Sequence, residues 1–140
     1  MPTEKLGTHT PSTPDTRDTR SRGAQNETRA AAHLSAAGLE ILDRNVTLAG
    51  AELDLVACER GEDGLCTLVF VEVRSRASAR RGHPLETVGA RKQARVIRAA
   101  KAWLSGRGLW ERVAVRFDVV GLVGRDEPEI CWIRGAFEPR

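Results

Sequence analysis

The chain has 140 residues, which is enough for one domain with an apolar core but not for two of ordinary size. Its 22 basic and 19 acidic residues give a net charge of +3, which by itself points to no class of partner. No stretch approaches the roughly 20 apolar residues of a membrane-spanning helix, so the sequence predicts no membrane span.

The cysteine pattern disfavours a zinc site and favours a reducing compartment. Cys58, Cys66 and Cys131 show no CxxC spacing, and the histidines are not clustered. Cys58 and Cys66 flank a Gly-containing turn, so they could lie across a hairpin. The odd number of cysteines and the lack of a signal peptide favour three ordinary buried thiols, and we expect a cytoplasmic protein.

Charge is distributed unevenly along the chain. Residues 22–73 carry four positive and nine negative side chains, a net charge of −5. Residues 74–101 carry nine positive and one negative, a net charge of +8. An acidic half followed by a basic segment is the polarity expected where metal-binding acids lie beside a phosphate-binding surface.

The N-terminal segment differs in composition from the rest of the chain. Residues 1–21 are rich in Thr, Pro and charge, so we expect a disordered tail, followed by one domain over residues 22–140. A first helix is predicted over residues 22–37. Glu27 and Leu34 lie seven positions apart in it, which places Glu27 on the apolar stripe rather than on the solvent face.

Two carboxylates stand inside short apolar runs that read as strands. Asp54 lies in the run 52–56, where alternation predicts Glu52, Asp54 and Val56 on one face and Leu53 with Leu55 on the other. An acid in such a run is costly to bury unpaired, so it needs a cation, a hydrogen-bond partner or a metal ion.

The second carboxylate, Glu72, lies in the run 68–74. Alternation predicts Phe70, Glu72 and Arg74 on one face of this strand. Turn residues separate the two runs, so they are predicted to pair as an antiparallel hairpin that could bring Asp54 and Glu72 together. The alternative for each acid is a structural ion pair, for instance of Asp54 with Arg74 or Arg116.

The remaining elements complete an α-β-β-β-α-β-β order, typical of an α/β domain with a mixed central sheet. The predicted elements are an extended segment 39–48, a polar loop 75–83, a helix from about Pro84 to Ser105, and strands 113–123 and 130–133. Asp118 in the fourth strand is interpreted as a structural partner for an arginine.

The basic segment supplies candidate phosphate contacts. Arg76, Arg80 and Arg81 lie in the polar loop, while Lys92 and Arg95 lie in the following helix. The alternative is a solvated helix face, which is the usual fate of a charged stripe. The one-sided charge of residues 74–101 favours contacts with a nucleic-acid backbone.

Several motifs occur in an order that resembles one known family. They are Gly23-x-x-Asn26-Glu27, Ala51-Glu52-Leu53-Asp54, Phe70-Val71-Glu72-Val73-Arg74, Gly82-His83-Pro84, Lys92, Arg116-Phe117-Asp118-Val119-Val120 and Ala136-Phe137. Together they resemble the YraN family of small bacterial proteins, which is assigned to the restriction-endonuclease-like PD-(D/E)-x-K superfamily. The resemblance spans about residues 22–137.

The resemblance implies a mixed sheet flanked by helices and a nuclease site. By motif, the catalytic residues would be Glu27, Asp54, Glu72 and Arg74. Mg²⁺, or Mn²⁺, would be held by Asp54 and Glu72, with Glu27 completing the shell directly or through water. The resemblance also marks Lys92 on the helix.

The chain departs from the family pattern at three positions. Asn26 and Ala51 stand where the pattern has Gly, and Arg74 stands where it has Lys. Lysine can exchange a proton when its pKa is lowered, whereas arginine stays protonated and can only stabilise charge. Arg74 therefore bears directly on whether the chain cleaves DNA.

Three functions are compatible with these patterns. The first is a Mg²⁺-dependent endonuclease that hydrolyses DNA, with branched or flapped DNA among the candidate substrates. The second is a catalytically impaired nucleic-acid-binding module with the same fold. The third, a small interaction subunit, is disfavoured by the basic segment. The expected partner is nucleic acid, DNA in the first instance, and a homodimer stays open.

Overall fold

The computed structural model describes residues 16–76 and 88–138, with side chains described from residue 23 onward. Within these ranges the elements are α1 (Thr16–Ala36), β1 (Glu40–Leu48), β2 (Ala51–Arg60), β3 (Cys66–Arg76), α2 (Ala90–Gly106), β4 (Ala114–Val123) and β5 (Glu129–Phe137). The predicted element order is confirmed, and the α/β class is consistent with a restriction-endonuclease-like fold.

The strands form one mixed sheet in the order β1-β2-β3-β4-β5. The β1–β2, β2–β3 and β4–β5 pairs are antiparallel, whereas β3 and β4 run parallel. A parallel pair cannot be joined by a tight turn, so the chain crosses over one face of the sheet through α2 between β3 and β4. This crossover brings the N-terminal end of α2 to the C-terminal end of β3.

Both faces of the sheet are buried, which explains why β2, β3 and β4 are nearly continuous apolar runs. On one face, here called the α1 face, α1 packs through Ala30 and Leu34 against a cluster that includes Leu55 and Val71. On the other, the α2 face, Trp103 packs in a cluster with Phe70 and Phe117. No helix within the described ranges is long and apolar enough to cross a bilayer.

Both helices begin at positions other than those predicted. Helix α1 begins at Thr16 instead of Arg22, inside the segment expected to be a tail, and residues 1–15 lie outside the described residues. Residues 16–22 contain no proline, so the helix can extend through them. Helix α2 begins at Ala90, after Gly89 in an extended conformation, and Pro84 lies outside the described residues.

The expectation of three thiols is wrong for two of the cysteines. Cys58 and Cys66 form a disulfide across the β2–β3 hairpin, with Cα atoms 5.8 Å apart. This separation lies in the usual range for bridged cysteines. Cys131 on β5 keeps its thiol.

The interpretation of Asp118 as a partner for an arginine is confirmed. Its side chain is 0% exposed, and Arg116 donates to both carboxylate oxygens, at 2.8 and 3.0 Å. The Trp132 indole and the Gly135 backbone amide each donate to it at 2.9 Å. Arg116 also pairs with Glu59 at 2.6 Å. A buried charge with this many donors is well compensated, so it ties β4 to β5.

Replacing Asp118 should destabilise the protein strongly. Asp118→Ala leaves the Trp132 and Gly135 N–H donors without their acceptor and leaves Arg116 with Glu59 as its remaining acid, and the expected loss is about 3 kcal/mol in the free energy of unfolding. Urea denaturation measures it. Asp126→Ala, at an exposed acid, is the matched control and should have little effect. Equal stability of the two variants would show that the network contributes little.

Candidate active site

The β2–β3 ladder ends where the two candidate acids begin. The last paired residues are Leu55 and Val71. Two residues after Val71, the Val73 N–H donates to Asp54 Oδ2 at 2.8 Å, so a side chain takes the place of a backbone acceptor. Asp54 is 9% exposed. Its carboxylate must lie close to the plane of the sheet, because it is aligned with a ladder N–H group.

Strand β2 changes face at Asp54. Leu53 and Val56 pack on the α2 face, whereas Leu55 packs on the α1 face. Strict alternation would place Leu53 and Leu55 together. The prediction that Glu52, Asp54 and Val56 share one face is therefore wrong, since the alternation is interrupted between Leu53 and Leu55.

Strand β1 carries an irregularity at the same level. Asn45 has φ 51°, in the left-handed region that Asn tolerates better than most residues. It lies between Arg44, which is opposite Leu55, and Val46, which is opposite Leu53. The two neighbouring strands are thus irregular side by side, which turns the Asp54 carboxylate away from both apolar faces.

Strand β3 keeps the predicted alternation. Phe70 packs on the α2 face and Val71 on the α1 face, so Glu72 follows Phe70 onto the α2 face. There, Lys92 of α2 approaches it, with Nζ 3.2 Å from Oε1. Glu72, Lys92 and Arg74 line one pocket of about 250 Å³, together with Val88 and Gly89.

Glu27 enters the site from the opposite face. It is half-buried on α1, on the stripe that also carries the buried Ala31 and Leu34, as the helical periodicity predicted. Burial raises the pKa of Glu27, a hydrogen bond from the Asn45 side chain lowers it, and the negative charges of Glu52 and Glu72 raise it. Asp54 therefore lies between two acids, Glu27 on the α1 face and Glu72 on the α2 face.

The site concentrates negative charge in a poorly solvated place. Burial raises the pKa of Asp54 to about 7, and the charge of Glu72 adds to the shift. The Val73 N–H lowers the pKa, Glu27 raises it, and Lys92 lowers it. An acid with so high a pKa is a candidate functional group, because it destabilises the folded state unless a cation compensates it.

The predicted three-acid ligand group is not assembled as a closed cage. Among the described residues, no three His, Cys, Asp or Glu side chains lie close enough together to hold a metal ion directly. The charge of Glu72 raises the pKa of Asp54, and Glu27 interacts with both acids electrostatically. Carboxylates that repel one another without touching leave room for water between them.

The predicted nucleic-acid contacts lie at different distances from this pocket. Lys92 lines it, beside the predicted catalytic residue Arg74. Arg76 and Arg95 are exposed, with Arg76 Nη1 donating to the Ser75 carbonyl oxygen. Arg80 and Arg81 lie outside the described residues.

Sequence reasoning missed one residue of the site, Asn45. Its side chain reaches Glu27, and its backbone marks the place where β1 is irregular. A signal was present, because an Asn within a predicted strand is a residue of low strand propensity that favours left-handed backbone.

The family model described as "Uncharacterised protein family UPF0102" matches residues 26–122. The chain belongs to the UPF0102 family. This is the YraN family, so the resemblance read from the motifs is confirmed. The matched region contains Glu27, Asp54, Glu72, Arg74 and Lys92.

Curated relatives cover most of the chain. A UPF0102 protein of Chromohalobacter salexigens is 47% identical over 123 residues, which span 86% of this chain and 94% of the relative. One from Stutzerimonas stutzeri is 41% identical over 122 residues, spanning 86% and 98%. A Burkholderia pseudomallei relative is 47% identical over 119 residues, spanning 82% of this chain and 74% of its own length.

The Asp54 carboxyl should make stability fall with rising pH. Its folded-state pKa of about 7 lies above the ordinary Asp value of 3.8, so between these two pH values the folded state binds more protons than the unfolded state. The free energy of unfolding should therefore decrease between about pH 4 and pH 7 and level off above. Asp54→Asn should remove this decrease and be more stable than wild type above pH 7, measured by urea denaturation across that range. The control is Asp126→Asn, and an unchanged slope in Asp54→Asn would contradict the assignment.

Proposed function

We propose that this UPF0102 protein is a metal-dependent endonuclease that hydrolyses phosphodiester bonds in DNA. The observation that carries the proposal is the buried Asp54 carboxylate, whose pKa is raised by burial and by the charge of Glu72, while Glu72 itself lines a pocket with Lys92 and Arg74. Buried acids that repel each other suit a divalent cation, and cations beside them suit a phosphate.

Mg²⁺ fits the donor set of this site. The ion takes oxygen ligands, keeps several waters and is usually bound through one or two carboxylates plus substrate phosphates. Asp54 and Glu72 would be the two carboxylate ligands, and Glu27 would act through water, since no closed group of three acids is present in the described ranges. When bound, the ion would acidify a water molecule and neutralise phosphate charge.

We assign to Lys92 the role that the motif gives to its lysine. Arg74 stays protonated, so it can stabilise phosphate charge but cannot accept a proton. Lys92 reaches the same pocket from α2, and its contact with Glu72 holds its ammonium group at the site before substrate binds. A phosphodiester in the pocket would compete with Glu72 for this ammonium, which could then orient the attacking water.

The basic residues in the N-terminal half of α2, Arg91, Lys92 and Arg95, would hold the DNA backbone. The helix carries five basic residues and no acidic one: Arg91, Lys92, Arg95, Arg98 and Lys101. Arg91 and Arg95 are exposed and lie within one helical turn of Lys92. Phosphate contacts of this kind fix the position of the duplex without reading its sequence. The site is built from one chain, so the proposal does not require a homodimer.

A binding module without cleavage is the second candidate. Two observations favour it: arginine stands at the motif lysine position, and Lys92 is paired with Glu72. In this case the basic surface and fold serve DNA binding alone.

Cleavage assays separate these candidates. Linear, flapped and four-way DNA are incubated with wild type, with and without Mg²⁺ or Mn²⁺, and cation-dependent cleavage is expected. Lys92→Met should reduce the rate by about 100-fold, as expected for loss of the group that orients the attacking water, whereas Arg74→Lys should stay within about tenfold of wild type. Asp54→Asn should be inactive.

Each outcome has a definite meaning. Faster cleavage by Arg74→Lys than by wild type, with Lys92→Met unaffected, would show that the strand position supplies the lysine and that Lys92 does not. DNA binding without cleavage of any of these substrates would favour the binding module.

Metal binding should also be visible without catalysis. Mg²⁺ or Mn²⁺ relieves the repulsion between Asp54 and Glu72, so millimolar metal should raise the melting temperature of wild type through linkage. Asp54→Asn should lose this increase, whereas Glu40→Gln, at an exposed acid on β1, should keep it. Equal metal stabilisation of wild type and Asp54→Asn would exclude Asp54 as a ligand.

A further inference from the structure

A second concave surface lies at the other end of α2. A cavity of about 180 Å³ opens between the C-terminal half of α2, the loop after it and the start of β4. Its walls are apolar and include Ile97, Leu104, Val113 and Val115. Trp110 stands at this cavity and is 41% exposed, which is unusual for so large an apolar side chain.

The cavity continues into a longer groove along α2. An adjoining cavity of about 320 Å³ shares Ile97 and Lys101 with it and is also lined by Gln93 and Arg98. The two cavities together, named here the α2 groove, are apolar inside and have cationic side chains at their edge. Lys101 lies over the Trp110 ring, with Nζ 5.3 Å from the centroid.

The charge around the α2 groove has one dominant sign. Helix α2 has no acidic residue, so Arg98 and Lys101 border the groove without an acid on the same helix. Glu111 in the loop is the acid that lines the Trp110 cavity. A ligand for this surface must therefore combine negative charge along α2 with an apolar group at Trp110.

We propose that the α2 groove binds an acidic segment of a partner protein, which inserts one large apolar side chain beside Trp110. A cavity of about 180 Å³ is smaller than the roughly 300 Å³ at which small-molecule pockets begin, so it suits a single side chain. Trp is one of the residues enriched at binding hot spots, and here Trp110 lies beside an apolar cavity next to Lys101.

A peptide fits this surface better than nucleic acid does. A phosphate backbone gains nothing from walls made of Ile97, Leu104 and Val115, and Glu111 would repel a phosphate beside Trp110. Acidic side chains of a peptide can pair with Arg98 and Lys101, while its backbone N–H groups can face Glu111. The proposal is independent of nuclease activity, because Arg98, Lys101 and Trp110 line the groove and none of them lines the pocket of Glu72, Arg74 and Lys92.

Fluorescence anisotropy tests the proposal on the full chain. The probe is a labelled peptide of mixed Asp and Glu that ends in a Phe-Leu pair, and the control peptide has Ala-Ala in place of that pair. Wild type should bind the first peptide at least about tenfold more tightly than the second. Lys101→Glu and Trp110→Ala should each weaken binding by a similar factor.

Matched controls distinguish this surface from general electrostatics. Arg112→Glu makes the same charge change at an exposed residue that does not line the groove, and it should bind the peptide like wild type. Melting temperatures verify folding. If Trp110→Ala fails to fold, Lys101→Glu against Arg112→Glu decides the question alone.

Three results would overturn the proposal. The first is no measurable binding of the Phe-Leu peptide. The second is equal affinity for the Phe-Leu and Ala-Ala peptides, which would mean charge attraction without an anchor. The third is loss of single-stranded DNA binding, but not of peptide binding, in Trp110→Ala, which would assign the groove to nucleic acid.

Discussion

The hydrogen bond from the Val73 N–H to Asp54 is the interaction on which the candidate site depends. It lies just beyond Leu55 and Val71, the last pair of the β2–β3 ladder, and it holds a carboxylate where the ladder would otherwise continue. A carboxylate held in the plane of the sheet is accessible from both faces. Glu72 on the α2 face and Glu27 on the α1 face can therefore act on the same Asp54, which two acids on a regular strand face could not achieve.

The arrangement is unfavourable for the folded state and is compensated elsewhere. Burial and neighbouring acids raise the pKa of Asp54 to about 7, so keeping it ionised at neutral pH costs stability. The Asp118 network shows the opposite design, because four donors surround that carboxylate and its site is closed. Two buried acids on neighbouring parts of one sheet thus differ in a functionally informative way. Donors within the protein compensate the charge of Asp118. The charge of Asp54 is less well compensated, and a bound cation would stabilise it.

Most of the architecture could be predicted from the sequence because it depends on periodicity. Alternation along β3 placed Phe70 and Glu72 on one face correctly, and the seven-residue spacing of Glu27 and Leu34 placed Glu27 on the packed side of α1. The prediction failed where periodicity is interrupted. The face change at Asp54 lies beside Asn45 of the adjacent strand, which has a left-handed backbone. Hydrophobic spacing along β2 does not reveal which residue of β1 lies beside Asp54. Pairing of Cys58 with Cys66 likewise depends on the register of β2 and β3.

The parallel pairing of β3 and β4 explains how helix α2 can supply a lysine to a site whose motif places that lysine on the strand. A parallel connection must leave the C-terminal end of β3, cross one face and return, so the following helix begins beside the last residues of that strand. Glu72 and Arg74 occupy this end, and Lys92 in the first turn of α2 lies within 3.2 Å of Glu72 as a result. The lysine position on the strand can then change to arginine without removing lysine from the pocket. Arginine at position 74 is therefore a weaker argument against catalysis than the linear motif suggests, because the pocket is defined by the crossover and not by the spacing along β3.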